Sequence, residues 1–586
     1  MSRSNLLRAA AVAAALSFAS PAAADGDLVR IATVPSGAEV TGIAVNGLGE
    51  LFFNSQHPAG KGELEAGGPA ALIGYVDGIN INTFGGPGVA VPGKDMMDRV
   101  NVAGGEYVIL GKIGDELGDG KKLGGVYDLK GNLMFVSNDV DFNAFIPLGA
   151  NEAYLYTAFE GASRKGVSAI SRLKLVRKAG KWTTDFSQSG MLDLSSIEGA
   201  WVLCYGTISP WGTPILAEEY YFYNTSLWNH PDNHDADERP SFLKGNDNMY
   251  HQPKMMNAYL GKPSNPYRYG YNIEMNGAAS KDGVTFNRLY TLGRFSHENI
   301  AVMGDGKTLY QSDDDSAKYT NAKFNTNSGG VLFKFVADHK ADLTSGTLYA
   351  AKVKQDATSD PRKAGFDVTW VKLAHGTNDQ IAKWVAEYDG IKVSDYKEGG
   401  SNFISDADVN NWAEGKLGKD LNGDGKVGSY PDDRPAFLES RKAAAAMGAT
   451  NEWNKLEGVT ATPATFYMAI SEIAETMDKQ WGHVGWDTGK KDKAIAGDIA
   501  VDSEKCGAIY AAKIGADFDI RRLEPAVVGK LGEPGPERKG KPTVRCFSDN
   551  IANPDNILAL SNGNLLIGED AGDRMHPVDM LWLKRF

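Results

Sequence analysis

The residues best suited to chemistry begin at a single cysteine. Cys204-Tyr205-Gly206 leads into the turn Ser209-Pro210-Trp211-Gly212-Thr213, and a β-rich stretch then ends in Glu218-Glu219. Carboxylates are what a hard cation wants, and several are needed to balance its charge. Strand side chains alternate, so only one of Glu218 and Glu219 is expected to face a shared site. A second oxygen-rich run, Asp420-Leu421-Asn422-Gly423-Asp424-Gly425, has oxygen donors at positions 1, 3 and 5 and glycine at 6, as an EF-hand-type loop begins. Pro431 stands where the closing glutamate of such a loop belongs, with Asp432 and Asp433 next. Asp420, Asn422 and Asp424 are therefore expected to bind calcium in a structural role. The sequence has no G-x-S-x-G elbow, P-loop, H-E-x-x-H or C-x-x-C. That removes the best-marked routes to serine hydrolases, NTPases, zincins and thiol redox enzymes.

The chain has three cysteines. Cys506 and Cys546 lie in neighbouring strand-like stretches and are candidates for a disulfide, which leaves Cys204 over. An odd cysteine in an exported protein is either inert and buried or kept for chemistry. Export is expected from the N-terminus. Arg3 and Arg8 precede the small apolar run 9–19, and Pro21 and Ala22-Ala23-Ala24 come before Asp25. This pattern predicts a secretory signal peptide over residues 1–24, too short to span a bilayer, and a periplasmic or secreted mature protein. No twin arginine is present, which favours the general secretory route. No later segment reads as a membrane span. A composition of 42% hydrophobic and 23% charged residues is that of a globular protein. The net charge of −13 argues against a nucleic-acid partner. An anionic substrate would then need bound cations or local Lys and Arg.

Sixty-eight glycines against 24 prolines point to many short strands joined by tight turns. Segments 46–54, 130–139, 304–314 and 562–570 share a glycine turn, a β-rich run and a polar or acidic end, and 460–472 is a looser copy. Further strands are expected at 166–175, 268–274 and 330–337. Recurrent hairpins over this length predict an all-β chain, a β-propeller forming one domain over 25–586. In such a ring the same end of each inner strand meets a central channel, so acids far apart in sequence converge there. Residues from about 378 to 448 read as a mostly helical insertion covering one end of the ring. Helices are expected at 406–417 and at 434–448, the latter with Asp432 or Asp433 as cap and Gly448 as stop. The stretch 228–252, with His230, Asp232, His234, Asp235, Asp237 and Glu238, reads as a polar loop.

With these residues in view, the chain resembles the PhoX-type alkaline phosphatases. Their signature of a cysteine, a glycine-containing turn, Pro-Trp-Gly-Thr and Glu-Glu is matched without gaps from Cys204 to Glu219. In family order, Gly293-Arg294-Phe295-Ser296-His297-Glu298 is similar to G-R-F-x-H-E, and Asp313-Asp314 to a later acidic pair. Gly448-Ala449-Thr450 precedes Asn454-Lys455-Leu456-Glu457, where the family has Gly-Ala-Thr and then D-R-P-E. Asn138-Asp139, Asp555-Asn556 and the strand leading to Asp570 are similar to further family turns. The resemblance implies a six-bladed propeller whose channel holds ferric iron (Fe3+) and calcium (Ca2+). It places Cys204 on iron, makes Glu218 or Glu219, Glu298 and Glu457 carboxylate ligands, and adds Asn138, Asp139, Asp555 and Asn556. The implied activity is hydrolysis of small-molecule phosphate esters, with Lys455 gripping the phosphate. A monomer is expected. Lys455-Leu456 replaces the family's Arg-Pro, which keeps a positive charge but loses the planar two-point fork. Residues 39–42 and 51–58 resemble a stretch the family carries near its C-terminus, which brings His57 towards the site. Two alternatives stay open: another metal-dependent hydrolase on the same fold (phosphodiesterase, lactonase or arylesterase), and a non-catalytic calcium-stabilised propeller.

Overall fold

Three of the four glycine-turn segments form the hairpin between a first and second strand. They turn on Gly49, Gly306 and Gly563, with φ of 78°, 66° and 91°. A Cβ is disfavoured in that left-handed region, which is why the turns read so clearly as glycine. The fourth segment, turning on Gly131, instead builds a two-stranded side sheet, Gly125–Tyr127 with Leu133–Val136, that leads into Asp139. The computed structural model describes residues 28–161, 166–219, 225–235, 252–281, 283–314, 329–480 and 497–586. The expected signal peptide, and Asp237 and Glu238 of the 228–252 stretch, lie outside these residues. Strand accounts for 43% and helix for 14%, so the chain is mostly β.

Six strands matter most to the site: β1 (Glu39–Val45), β2 (Val140–Gly149), β3 (Leu203–Ile208), β4 (His297–Val302), β5 (Leu456–Ala461) and β6 (Pro554–Ala559). Each starts a run of antiparallel strands. β1 leads Leu51–Gln56, Leu72–Asp77 and Glu106–Lys112, while β2 leads Glu152–Phe159, Ala169–Lys178 and Lys181–Met191. β3 leads Pro214–Glu218, Asn272–Asn276 and Thr285–Leu289. β4 and β5 stand at the two ends of one nine-stranded sheet, bridged where Phe366–Thr377 meets Arg522–Val528. β6 leads Leu565–Glu569 and Met580–Lys584, and the N-terminal strand Leu28–Thr33 pairs antiparallel with Met580–Lys584. The two ends of the described chain thus share one sheet. β1 packs against β2, β2 against β3, and so on through β6, which packs back against β1.

Between neighbouring sheets, alternating apolar residues fill the gap. Phe142 and Ala144 of β2 and Leu203 and Tyr205 of β3 meet Tyr154, Tyr156, Leu216 and Ile273 in one cluster. The opposite faces near the strand starts carry the polar residues described below.

The helical region holds α1 (Asn378–Ala386), α2 (Asp406–Leu417), α3 (Arg434–Leu438) and α4 (Ser440–Ala446). Ser405 and Asp408 form a reciprocal cap at the start of α2, and Gly418 ends it at φ 64°. The expected single helix over 434–448 is broken at Glu439, which has φ −135° and ψ 48°. The Leu438 carbonyl accepts from Arg294 Nη1, and the Ser440 hydroxyl accepts from the Arg294 backbone amide. The break thus falls where buried Arg294 holds the carbonyl on one side of Glu439 and the hydroxyl on the other. Among the described residues, no helix is long and apolar enough to cross a membrane.

Candidate metal centre

The starts of the six strands build the site. Asp141, Cys204, Glu298, Glu457 and Asp555 are each the second residue of β2 to β6, and Glu39 opens β1. Near each of these starts the pairing with the next strand shifts register: at Thr41/Ala44, Val140/Asn143, Leu203/Gly206, His297/Ile300, Leu456/Val459 and Pro554/Ile557. Such bulges re-aim a side chain and stop regular pairing. The residues just before β3, β5 and β6, namely Val202, Lys455 and Asn553, have φ of 37°, 52° and 41°. Non-glycine residues held there mark backbone that its surroundings constrain.

The result is a cavity of about 480 Å³ walled by Glu39, Asp139, Asp141, Glu160, Cys204, Glu219, Glu298, Asp555 and Asp570, with His57 and Lys455 as its cations. Three ligand groups interlock: Asp141, Glu160 and Cys204; Cys204, Glu219 and Glu298; and Glu298, Glu457 and Asp555. Within each group the donor atoms lie within 4.8 Å of one another. Cys204 and Glu298 are the shared corners. The Cys204 thiol lies 3.1 Å from both Asp141 Oδ2 and Glu298 Oε1, so either carboxylate can accept from it.

So many buried acids cannot all ionise unaided. Burial first, then neighbouring carboxylates, hold Glu160, Glu219, Glu298, Asp555 and Asp570 well above the usual carboxylate range. Asp141 is pushed up to about 7 and Glu457 to about 8. Burial also drives the Cys204 thiol upward, helped by Asp141 and Glu298. Asp141 Oδ1 and Asp555 Oδ1 are buried without a hydrogen-bond partner. Unpartnered buried acceptors in an acid-rich cavity fit bound cations: hard ones for the carboxylates, a transition metal for the thiolate.

Two protein cations face these acids. Lys455 Nζ is 3.1 Å from Asp314 Oδ2 and 2.5 Å from Glu457 Oε1. Burial lowers its pKa, but Asp314, Glu457, Asp570 and Glu219 outweigh that and hold the ammonium well above its ordinary range. His57 bridges two acids, with Nε2 at 2.8 Å from Glu39 and Nδ1 at 3.1 Å from Asp139.

Three residues selected from the sequence are turned elsewhere. Glu218 pairs with Arg288 at 2.8 Å and accepts from the amides of Trp201, Gly270 and Tyr271. Alternation puts Glu219 in the cavity and Glu218 on the opposite side. Asn138 accepts from Ala71 N and donates to the carbonyls of Lys61 and Pro69. Asn556 Oδ1 accepts from Gly42 N, which ties β6 to β1. Asp141 and Glu160 were not singled out from the sequence, although each carried a signal. Asp141 lies two residues after Asp139, and Glu160 follows its strand directly, as Glu219 and Asp314 do.

The Asp420–Asp424 loop lies between α2 and α3, away from the cavity. Asp420 accepts from the amides of Gly423 and Gly425, and Asn422 from that of Asp424. His234 Nε2 meets the Trp228 carbonyl, and its Nδ1 meets Asn257. Cys506 and Cys546 are joined in a disulfide, buried against Ala552, Ala571 and Met575.

Among curated proteins none matches the chain. A family model does: that of the alkaline phosphatase PhoX matches residues 183–581. The match takes in β3 to β6 with Cys204, Glu219, Glu298, Glu457 and Asp555, and it covers well over half of the sequence. The chain belongs to the PhoX alkaline phosphatase family.

Proposed function

We propose that this protein is a metal-dependent phosphomonoesterase of the periplasm or cell exterior, built as a six-bladed β-propeller with iron and calcium held in its channel. The circuit of contacts from β1 through β6 and back supports the ring reading. The observation that carries the function is the set of three interlocked ligand groups sharing Cys204 and Glu298. In this reading Asp141, Glu160, Cys204, Glu219, Glu298, Glu457 and Asp555 hold the cations. When bound, those cations would polarise a phosphoryl oxygen and lower the pKa of water. The separate loop of Asp420, Asn422 and Asp424 would take calcium, away from the chemistry.

The chain's own residues do the rest. Lys455, kept charged by Asp314 and Glu457, offers an ammonium to a phosphate oxygen. His57 keeps a second positive charge on the wall by bridging Glu39 and Asp139. In the overall reaction a water oxygen joins phosphorus, the ester P–O bond breaks, and the leaving oxygen departs as an alcohol. The acids, His57 and Lys455 that line the cavity suit a phosphate group held through cations.

The test is turnover of p-nitrophenyl phosphate by mature protein, metal-replete and after chelation. The expected result is turnover that chelation abolishes and metal restores. No turnover in replete protein, or turnover that chelation leaves intact, contradicts the reading. Bis(p-nitrophenyl) phosphate run in parallel separates a monoesterase from a diesterase, because Lys455 offers one point charge where an arginine would offer a fork.

A further inference from the structure

Three acidic doublets end the second strands that follow β3, β4 and β6: Glu218-Glu219, Asp313-Asp314 and Glu569-Asp570. In each, the second acid faces the site: Glu219 and Asp570 line the cavity, and Asp314 holds Lys455. The first acid is the last residue of its strand, is buried, and is paired with a buried basic side chain. Glu218 meets Arg288 at 2.8 Å, Asp313 meets Arg441 Nε at 2.7 Å, and Glu569 meets His576 Nδ1 at 2.8 Å.

The backbone partners repeat as well. Glu218 accepts from Trp201 N and Tyr271 N at 3.1 Å each, Asp313 from Ser296 N at 3.1 Å and Val331 N at 3.2 Å. Glu569 accepts from Ala552 N at 2.9 Å and Met580 N at 3.1 Å. Trp201, Ser296 and Ala552 lie just ahead of β3, β4 and β6. Those strands present Cys204, Glu298 and Asp555 as their second residues. Each first acid therefore ties the entry of a ligand-bearing strand to the strand that carries the next site acid. The remaining second strands end in Gln56, Phe159 and Ile470 and have no such pair.

We propose that Glu218–Arg288, Asp313–Arg441 and Glu569–His576 are one repeated positioning device that sets how tightly the cavity holds its cations. This rests on the metal-binding reading of the cavity. Each first acid sits against a buried basic side chain, and its oxygens hold backbone amides on both sides. The groups that would bind metal are thereby held in place before metal arrives, and preorganised ligands bind more tightly.

The experiment measures metal content of as-purified protein by elemental analysis and titrates chelator-stripped protein with calcium alone by calorimetry. It compares wild type, Arg288→Met, Arg288→Lys and Asp313→Asn, with circular dichroism to confirm the fold. Arg288→Met is expected to weaken calcium binding by about 10- to 100-fold, the usual cost of losing a residue that orients a ligand. Arg288→Lys should recover most of that loss. Asp313→Asn, which keeps the shape but removes the charge and turns one of the two acceptor oxygens into a donor, should show the same weakening and covers the case in which Arg288→Met does not fold. Folded Arg288→Met or Asp313→Asn with wild-type affinity and metal content would overturn the positioning role alone. A wild type that takes up no metal would overturn both this role and the metal-centre reading.

Discussion

Removing metal should make the stability of this protein fall as pH rises, and the size of the effect follows from the cavity. Asp141 is moved from 3.8 to about 7 and Glu457 from 4.5 to about 8, by burial first and by neighbouring acids second. Their folded-state pKa values are raised above the unfolded ones. Protonation therefore favours the metal-free fold, fully below the ordinary carboxylate range of ~4, and that advantage is lost as pH climbs through 7 and 8. One pKa unit is worth about 1.4 kcal/mol, so ionising Asp141 alone costs the empty site roughly 4 kcal/mol by pH 8. At about 2.1 cal/mol/K of unfolding entropy per residue, that is roughly 3–4 °C of Tm for a chain of 586 residues. Between pH 5 and 8 Asp141 and Glu457 together lose roughly 6 kcal/mol, so these two alone are expected to lower Tm by roughly 5 °C. Bound cations replace the protons and should flatten the curve. The assay is Tm by calorimetry from pH 5 to 8, with and without chelator. A metal-free Tm that stays level or rises over this range would refute the reasoning, because it would mean the acids ionise without a cation.

Lys455→Met removes a charge-assisted contact worth about 1.5–3 kcal/mol and should lower kcat/KM on p-nitrophenyl phosphate by about 10- to 150-fold, while Lys455→Arg should retain most activity or improve it. Equal kcat/KM for Lys455→Met and wild type would remove this residue from phosphate binding. His576 is buried against Glu569; burial lowers its pKa, but Glu569 outweighs that and raises it overall. Its contribution to stability should be complete below pH ~6.5 and fade as pH rises through the raised value. His576→Gln should therefore destabilise the metal-replete protein more at pH 5.5 than at pH 9, read as Tm. Asp420→Asn should lower calcium content by elemental analysis and reduce the thermal stability that added calcium confers, while iron content stays constant.

The sequence exposes features whose physical cause is local. The helix at Asp406–Leu417 is legible because Ser405, Asp408 and Gly418 carry its start and stop signals. The turns at Gly49, Gly306 and Gly563 are legible because positive φ demands glycine. Cys204, Glu298, Glu457 and Asp555 were marked by motif, and the structure brings them together in two groups that share Glu298. What stays hidden depends on partners distant in the chain. Nothing local in Glu218-Glu219 says which glutamate turns away, since Arg288 and the amides of Trp201 and Tyr271 decide it. Asn138 and Asn556 carry the family turns but serve backbone hydrogen bonds. Asp141 and Glu160 come from outside the 183–581 family match, and their only local signals are the spacing of Asp141 from Asp139 and the place of Glu160 directly after a strand. The break at Glu439 coincides with the contacts of distant Arg294 to Leu438 and Ser440, which no helix signal in 434–448 anticipates.

Crystals of protein purified without chelator, measured by anomalous scattering at energies chosen for iron and for calcium, address the central claim most directly. The account predicts an iron peak within bonding distance of the Cys204 sulfur, bordered by Glu219 and Glu298, with calcium among the neighbouring carboxylates. Well-ordered side chains around a cavity that shows no anomalous density would contradict it.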